Sequence, residues 1–322
     1  MQNKLFLNKY QPIYFNEFQQ NTEIIKILTS LINLNNLNIL FIGDIGVGKT
    51  VYVNATVKEY YKDIPNDIYL NNILYLSSLK DQGIGFYRND VKTFCQTRSS
   101  IPNKKKTIVI DDIDIINEQS QQVFRTYIDN YSSNINLICS CTNPQKVIEP
   151  LQSRLLIIKI TPITQSHIYN IARNIIVNEN IVINDESVDY IVNISNNNPK
   201  ILINYMEKLK LLNKPINVQL VTDICTNVSY SIFKQYTIFI INKQLKEAIN
   251  ILYNLYDTGF SVMDILDLYF SYVKISDILS ENQKYNIIPF ICKFITAFYN
   301  ITEDCIELAI FTNNLYKNID KV

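Results

Sequence analysis

Gly43-Asp44-Ile45-Gly46-Val47-Gly48-Lys49-Thr50 follows directly on the apolar run Ile39-Leu40-Phe41-Ile42. This order predicts a strand that feeds a phosphate-binding loop and then a helix opening at Lys49. Glycines let backbone N–H groups turn inward to cradle phosphate oxygens, Lys49 reaches the outer phosphates, and the Thr50 hydroxyl ligates Mg²⁺. The positive N-terminal end of the helix adds to the same site. A lone glycine-rich turn matches such a pattern by chance, whereas all four fixed positions in a strand-to-helix context are a poor match for chance. The octet from Gly43 to Thr50 is therefore read as the site of a nucleoside triphosphate.

Four further apolar runs follow: Ile73 to Leu76, Thr107 to Ile110, Ile135 to Ser140 and Leu155 to Ile160. Near-continuous Ile, Leu and Val runs of this length are what parallel strands buried on both faces require, so an open α/β sheet is expected. Such sheets place ligands at the carboxyl ends of their strands, where the first and third runs end in polar chemistry. After Thr161-Pro162 the spacing turns helical. Val188, Ile191 and Val192 mark one helix, and Ile201, Leu202, Tyr205, Met206 and Leu209 mark another that Pro199 begins. From about Ser229 a further helical stretch is expected, with Leu245, Ala248, Ile249, Leu252 and Tyr256 on one face. Ser261-Val262-Met263-Asp264 reads there as a capping box before Ile265, Leu268 and Tyr272. The expected domains are 1–162, 163–226 and 227–322.

At 322 residues and 47% hydrophobic content the chain has material for a large core and two or three domains. No apolar run approaches the ~20 residues of a membrane span, and Met1-Gln2-Asn3-Lys4 opens no signal-like stretch. An intracellular protein with no membrane partner is expected. Lys plus Arg and Asp plus Glu each number 30, so no global field draws the chain to nucleic acid. Any DNA contact comes from a local patch or from several chains together. Cys95, Cys139, Cys141, Cys225, Cys292 and Cys305 form no CxxC pair, and His167 is the single histidine, which argues against zinc. A Ser-His-Asp or Cys-His hydrolase would have to use His167, which reads instead as a partly buried or solvated helix residue. Cys139 and Cys141 read as small buried hydrophobes.

Thr107-Ile108-Val109-Ile110-Asp111-Asp112 is an apolar strand ending in two carboxylates, about sixty residues past the phosphate loop. That is the layout of a Walker B element. Asp111 would hold Mg²⁺ opposite Thr50, and Asp112 would polarise a water for attack on the γ-phosphate. Alone, such a strand end is often a capped turn before a helix; after a complete phosphate loop the functional reading is preferred. Asp112 is shorter than the glutamate usual at this place by roughly 1.5 Å, and a misplacement of ~1 Å costs ~10²-fold in rate. Slow and fast hydrolysis both stay open.

With these motifs in place, the chain resembles, over nearly its whole length, the small subunits of replication factor C, the clamp-loader branch of the AAA+ ATPases. Leu7-Asn8-Lys9-Tyr10-Gln11-Pro12 with Glu17-Phe18 resembles the family's N-terminal box, although Gln11 replaces the usual Arg; the resemblance puts Tyr10 and Pro12 beside the adenine. Gln82-Gly83-Ile84 with Arg88 and Phe94, and Ser120-Gln121-Gln122-Val123-Phe124-Arg125, resemble segments around the two Walker motifs. Cys141-Thr142-Asn143 is similar to sensor 1, which implies that Asn143 senses the γ-phosphate. Ser153-Arg154 is similar to the family's Ser-Arg-Cys element, with Leu155 in place of Cys, which implies that Arg154 is an arginine finger for the adjacent subunit. Taken alone, Arg154 reads as a solvated arginine at a strand start and Asn143 as an Asn-Pro turn.

Ser195-Asn196-Asn197-Asn198-Pro199-Lys200 aligns with the family's Gly-Asp-Met-Arg sensor 2, with the glycine and aspartate lost and Lys200 in place of Arg. A lysine is one point charge rather than a planar fork, so phosphate sensing there is weakened or passes to a partner. Gly259, Ser261, Asp264 and Ile265 resemble the collar that holds five subunits together. The resemblance implies an AAA+ core with a parallel five-stranded sheet over 1–162, a helical lid over 163–226 and a helical collar over 227–322. ATP and Mg²⁺ are the implied cofactors. The implied partners are the other subunits of a hetero-pentamer, a ring-shaped sliding clamp and primer-template DNA, in the nucleus or at a viral replication site if the source is eukaryotic or viral, and otherwise in the cytoplasm. Arg88 and Lys92 are the expected phosphate contacts to DNA, while Lys104-Lys105-Lys106 is expected to be a solvated loop. Alternatives are an ATP-binding scaffold subunit with little hydrolysis, and another AAA+ machine such as an initiator or helicase loader.

Overall fold

The structure, a computed structural model, describes residues 5–18, 20–77, 84–212, 214–225, 230–276, 278–298 and 303–318. Gln82, Gly83 and the expected boundary at 226/227 lie outside the described residues. Two compact units form, residues 1–215 and 216–322. The stretch expected as core and residues 163–215 of the stretch expected as lid fall together in the first unit, and the rest of the lid stretch falls in the second.

Five strands build the sheet of that unit: β1 (Ile39–Ile42), β2 (Ile73–Ser77), β3 (Lys106–Asp111), β4 (Ile135–Cys141) and β5 (Leu156–Lys159). Their order is β2-β3-β4-β1-β5 and every pairing is parallel. The central strands β1, β3 and β4 are short and mostly apolar because both of their faces are covered, whereas β5 at the edge buries Ile158 and leaves Leu156, Ile157 and Lys159 exposed. On β1, Ile39 and Phe41 pack with Leu28, Val53 and Tyr60 on one face, while Leu40 packs with Val91 and Phe124 on the other. β4 alternates in the same way, with Ile138 on the first face and Leu137 and Cys139 on the second. Burial pushes the Cys139 thiol up, so it behaves as an inert hydrophobe.

The helix Lys49–Tyr60 leaves the end of β1, Ile84–Gln96 precedes β3, and Glu118–Asn130 joins β3 to β4. From β1 the chain crosses to the β2 edge and returns through β3 and β4, whereas β5 lies on the other side of β1. A crevice outside the carboxyl ends of β1 and β4 follows from that reversal. Three helices complete the unit: Gln165–Glu179, Asp185–Ile194 and Pro199–Leu211. His167 is half-buried in the first of these, with its Nδ1 2.8 Å from the Thr164 hydroxyl.

The lysine run departs from expectation. Lys106 is the first residue of β3 and is buried. Its ammonium lies 4.4 Å from the centre of the Phe94 ring and donates to the Phe94 carbonyl at 3.3 Å and to the Thr97 hydroxyl. These groups end the helix Ile84–Gln96, where a cation meets the negative end of the helix. Lys105 donates to the Ser132 carbonyl at 2.8 Å, and Lys104 sits over the Tyr60 ring. The run therefore stitches the sheet's edge rather than forming a solvated loop.

The second unit is helical, with helices Val218–Cys225, Tyr230–Ile241, Leu245–Asp257, Val262–Ile275, Glu281–Ala297 and Ile306–Asn318 among its described residues. Phe233, Tyr236, Leu252, Ile265, Tyr269, Ile291 and Phe311 share its core. Leu255 is buried where Tyr256 was expected, and Tyr256 is exposed. Ser261 accepts from the Asp264 N–H at 3.0 Å, the forward half of the expected box. The reciprocal capping box forms at Ser280 with Gln283.

Ile138→Ala, which removes every side-chain carbon beyond Cβ from the middle of the sheet, is expected to cost roughly 2–5 kcal/mol and lower the thermal midpoint. Leu156→Ser, at a side chain 44% exposed on β5, should stay within about 0.5 kcal/mol. Parallel thermal melts of both variants check the pair.

Candidate functional site

The loop from Gly43 to Gly48 leaves β1 and delivers Lys49 and Thr50 as the first residues of a helix. Gly46 and Gly48 hold φ of 83° and 99°, a region that glycine enters without steric cost. Lys49 is buried. Its ammonium donates to the carbonyls of Gly43 at 2.9 Å and Asp44 at 3.1 Å and to the Thr142 hydroxyl at 3.1 Å, which fixes it at the centre of the loop.

β4 lies between β1 and β3, so three strand ends meet here. The Thr50 hydroxyl donates to Asp111 Oδ2 at 3.0 Å. The Ser140 hydroxyl, fully buried on β4, donates to Asp111 Oδ1. Ser140 Oγ also accepts from the Asp112 N–H at 3.0 Å. One hydroxyl thus orients the first carboxylate and the backbone of the second.

Asp112 stands at φ 54°, ψ 57°, a left-handed conformation that costs most residues 1–2 kcal/mol and that Asp and Asn enter more readily. That turn gives a physical reason for a short carboxylate in place of glutamate. Burial, and then the neighbouring Asp111, push the Asp112 carboxyl up, with Lys49 opposing. Asp114, two residues on, accepts from the N–H of Thr142 at 3.2 Å and of Asn143 at 3.0 Å. It therefore anchors the loop that carries Asn143. The Asn143 side chain accepts from the Gln145 N–H at 2.9 Å, so its oxygen caps a turn.

The helix Pro199–Leu211 brings its N-terminus to the phosphate loop. Asn196 and Asn197 hold φ of 48° and 58°, so asparagine fills the turn where the family has glycine. Asn198 caps the helix through the N–H groups of Lys200 at 3.0 Å and Ile201 at 3.4 Å. Lys200 is exposed in the first turn.

Tyr10 and Pro12 are both half-buried. The Tyr10 hydroxyl donates to Glu179 at 2.6 Å, and Lys9 donates to the same oxygen at 2.5 Å. Burial, with the Glu179 carboxylate, holds the Tyr10 phenol well above its usual range. Phe18 packs on Tyr52 of the Lys49 helix, ring centres 4.6 Å apart. The N-terminal segment thereby touches both the helix that follows the phosphate loop and the Gln165–Glu179 helix.

Arg154 is not drawn into this cluster. It stands two residues before β5, and β5 starts level with the start of β1. The phosphate loop leaves the opposite end of β1, a four-residue strand that rises roughly 13 Å. Arg154 is about one-third exposed and donates to Asp129 at 2.6 Å and to the Pro150 carbonyl at 2.7 Å. Arg88 and Lys92 lie one turn apart and are exposed on the helix Ile84–Gln96, beside the stripe of buried Tyr87, Val91 and Cys95.

The donor set of hard oxygens at Thr50 and Asp111 fits Mg²⁺, which takes few protein ligands and shares itself with phosphates. Among the described residues no three His, Cys, Asp or Glu side chains form a metal cage. Ser140, Asp114, Glu179 and Asn198 were not singled out from sequence as site residues. Asp114 had a local signal, as the next acid after the Asp111-Asp112 pair, and Asn198 stood in the segment aligned with sensor 2.

Fold and site define an AAA-type phosphate-loop ATPase domain, and the family model "ATPase family associated with various cellular activities (AAA)" matches residues 39–162. The chain is 30% identical over 295 residues to a replication factor C small subunit of Methanococcus maripaludis, covering 90% of this chain and 92% of that one. It is 27% identical to a probable replication factor C subunit 2 of Dictyostelium discoideum, covering 87% and 82%. The chain belongs to the replication factor C small-subunit family. Among solved structures, the Thermotoga maritima RuvB Holliday junction branch migration motor matches in fold with a TM-score of 0.55 at 17% identity, over 85% of this chain and 93% of that one.

Ser140→Ala removes the hydroxyl that orients Asp111. The Mg²⁺ concentration needed for half-maximal ATP turnover is expected to rise by roughly 10- to 100-fold, as for other groups that orient a metal ligand. A magnesium titration of turnover measures it.

Proposed function

We propose that this chain is an ATPase subunit of a hetero-pentameric clamp loader that opens a ring-shaped sliding clamp and loads it onto primer-template DNA. The convergence of Thr50 and Asp111 at 3.0 Å, at the mouth of a complete phosphate loop, carries the reading. Lys49 and the loop N–H groups bind the triphosphate, Thr50 and Asp111 hold Mg²⁺, and Tyr10 and Pro12 border the base. When bound, Mg²⁺ neutralises charge that develops on the phosphates. Asp112 orients and deprotonates the attacking water, Asn143 contacts the γ-phosphate, and Lys200 adds charge from the helical side.

Arg154 acts on the nucleotide of the adjacent subunit, because a strand's length separates it from its own. Arg88 and Lys92 follow the DNA backbone without reading bases. Residues 163–226 serve as the lid and 227–322 as the collar of the pentamer, inside the cell at the place of DNA replication. ATP favours the state that grips the clamp, DNA completes the sites at subunit boundaries, and hydrolysis releases the loaded ring.

One observation favours a second reading, a subunit that binds ATP and hydrolyses little. Asp112 is both short and held in a left-handed turn, which limits how far its carboxylate reaches.

Lys49→Ala is expected to abolish ATP binding by the purified chain in a calorimetric titration, and unchanged binding refutes the nucleotide site. In the reconstituted complex, Arg154→Ala should leave ATP binding intact while slowing DNA-stimulated turnover by up to ~10³-fold or more. If Asp112→Asn leaves that turnover unchanged, the second reading stands. The upward push of burial on the Asp112 carboxyl gives a sign for pH: the base is active only when ionised, so turnover should rise with pH through a midpoint raised from the ordinary aspartate value. A pH–rate profile of the complex with and without Asp112→Asn checks this.

A further inference from the structure

Asn198 touches both the helix it opens and the phosphate loop. Its Oδ1 accepts from the N–H groups of Lys200 and Ile201. Backbone N–H groups only donate, so the oxygen of the amide is fixed on the helix side and its NH₂ group points the other way. That group faces the carbonyl of Ile45, with Nδ2 3.5 Å from the oxygen.

Gly46 makes the approach possible. A Cβ at Gly46 would overlap the Asn198 amide, and the φ of 83° there suits glycine independently. The left-handed pair Asn196 and Asn197 makes the turn that delivers Asn198 to this spot. Two separate features, the direction of the amide and the missing side chain, therefore mark one contact.

We propose that Asn198 is a positioning residue for the phosphate loop. In a trans peptide the carbonyl and the following N–H point in opposite directions. Tying the Ile45 oxygen to Asn198 turns the Gly46 N–H away from Asn198, toward the phosphate oxygens. The strut also couples the two sites reciprocally: a phosphate that orders the loop orders the start of the helix Pro199–Leu211. This role rests on the phosphate-loop reading and deepens it.

Asn198→Ser separates the strut from the cap, because serine caps a helix about as well as asparagine but is uncharged and too short to reach Ile45. The full-length variant is expected to melt at the parent temperature and to bind Mg·ATP roughly five- to tenfold more weakly, the loss of one neutral hydrogen bond. Asn198→Asp should also keep the cap and should lose more affinity, since its carboxylate faces a carbonyl and the phosphates. Hydrogen exchange adds a readout that a cap alone would not move: Mg·ATP should protect the amides of residues 200–211 in the parent and not in Asn198→Ser. Parent-like affinity in Asn198→Ser overturns the proposal alone, as does a lowered melting temperature with unchanged affinity. Absence of Mg·ATP binding in the parent chain overturns the phosphate-loop reading and this role with it.

Discussion

Two hydrogen bonds to one carboxylate, from Thr50 and from Ser140, hold the ends of three parallel strands in a fixed relation. Thr50 belongs to the helix that follows β1, Asp111 ends β3, and Ser140 lies on β4 between them. The site exists because the sheet runs β3-β4-β1; with any other neighbour order a buried hydroxyl could not face Asp111 while the phosphate loop stands one strand further on. Parallel pairing of β3 with β4 and of β4 with β1 holds that order, and the apolar side chains of these strands pack on both faces. The apolar core and the polar rim are thus one design.

Polar groups at the strand ends are engaged in layers. Asp111 takes hydroxyls, Asp114 takes the backbone of the loop carrying Asn143, and Lys49 takes two carbonyls and the Thr142 hydroxyl. A side chain with its partners already placed loses little freedom when a ligand arrives, and such preorganisation is the main electrostatic resource of a phosphoryl-transfer site. Asp112 is the exception. Its carboxyl sits beside another carboxylate in a partly dry setting and is held in a backbone conformation few side chains accept. Strain of this kind persists where the surrounding structure over-determines it, and here the Ser140 hydroxyl on its N–H supplies that restraint.

The phosphate loop, the strands and the Asp111-Asp112 pair were legible because their chemistry is local: a few neighbouring residues carry both the backbone geometry and the functional groups. Ser140 was not, because its meaning depends on a partner 29 positions away across a strand pairing. Glu179 and Asn198 meet Tyr10 and Ile45 across 169 and 153 positions, separations at which no periodicity speaks. Lys106 was misread for a related reason. A lysine cluster looks solvated in sequence, and only the end of a helix and an aromatic ring brought beside it explain its burial. Asn197 shows the converse: the lost family glycine looked like damage, yet the position needs only a residue at ease with positive φ.

Arg154 and the phosphate loop lie at opposite edges of one sheet, separated by the length of β1. If both are used, no single copy can use its own pair. In the proposed clamp loader, each molecule would give to one neighbour and receive from the other, which is a heterologous, head-to-tail contact. An arc built this way has two unequal ends, one with an unserved nucleotide and one with an idle guanidinium.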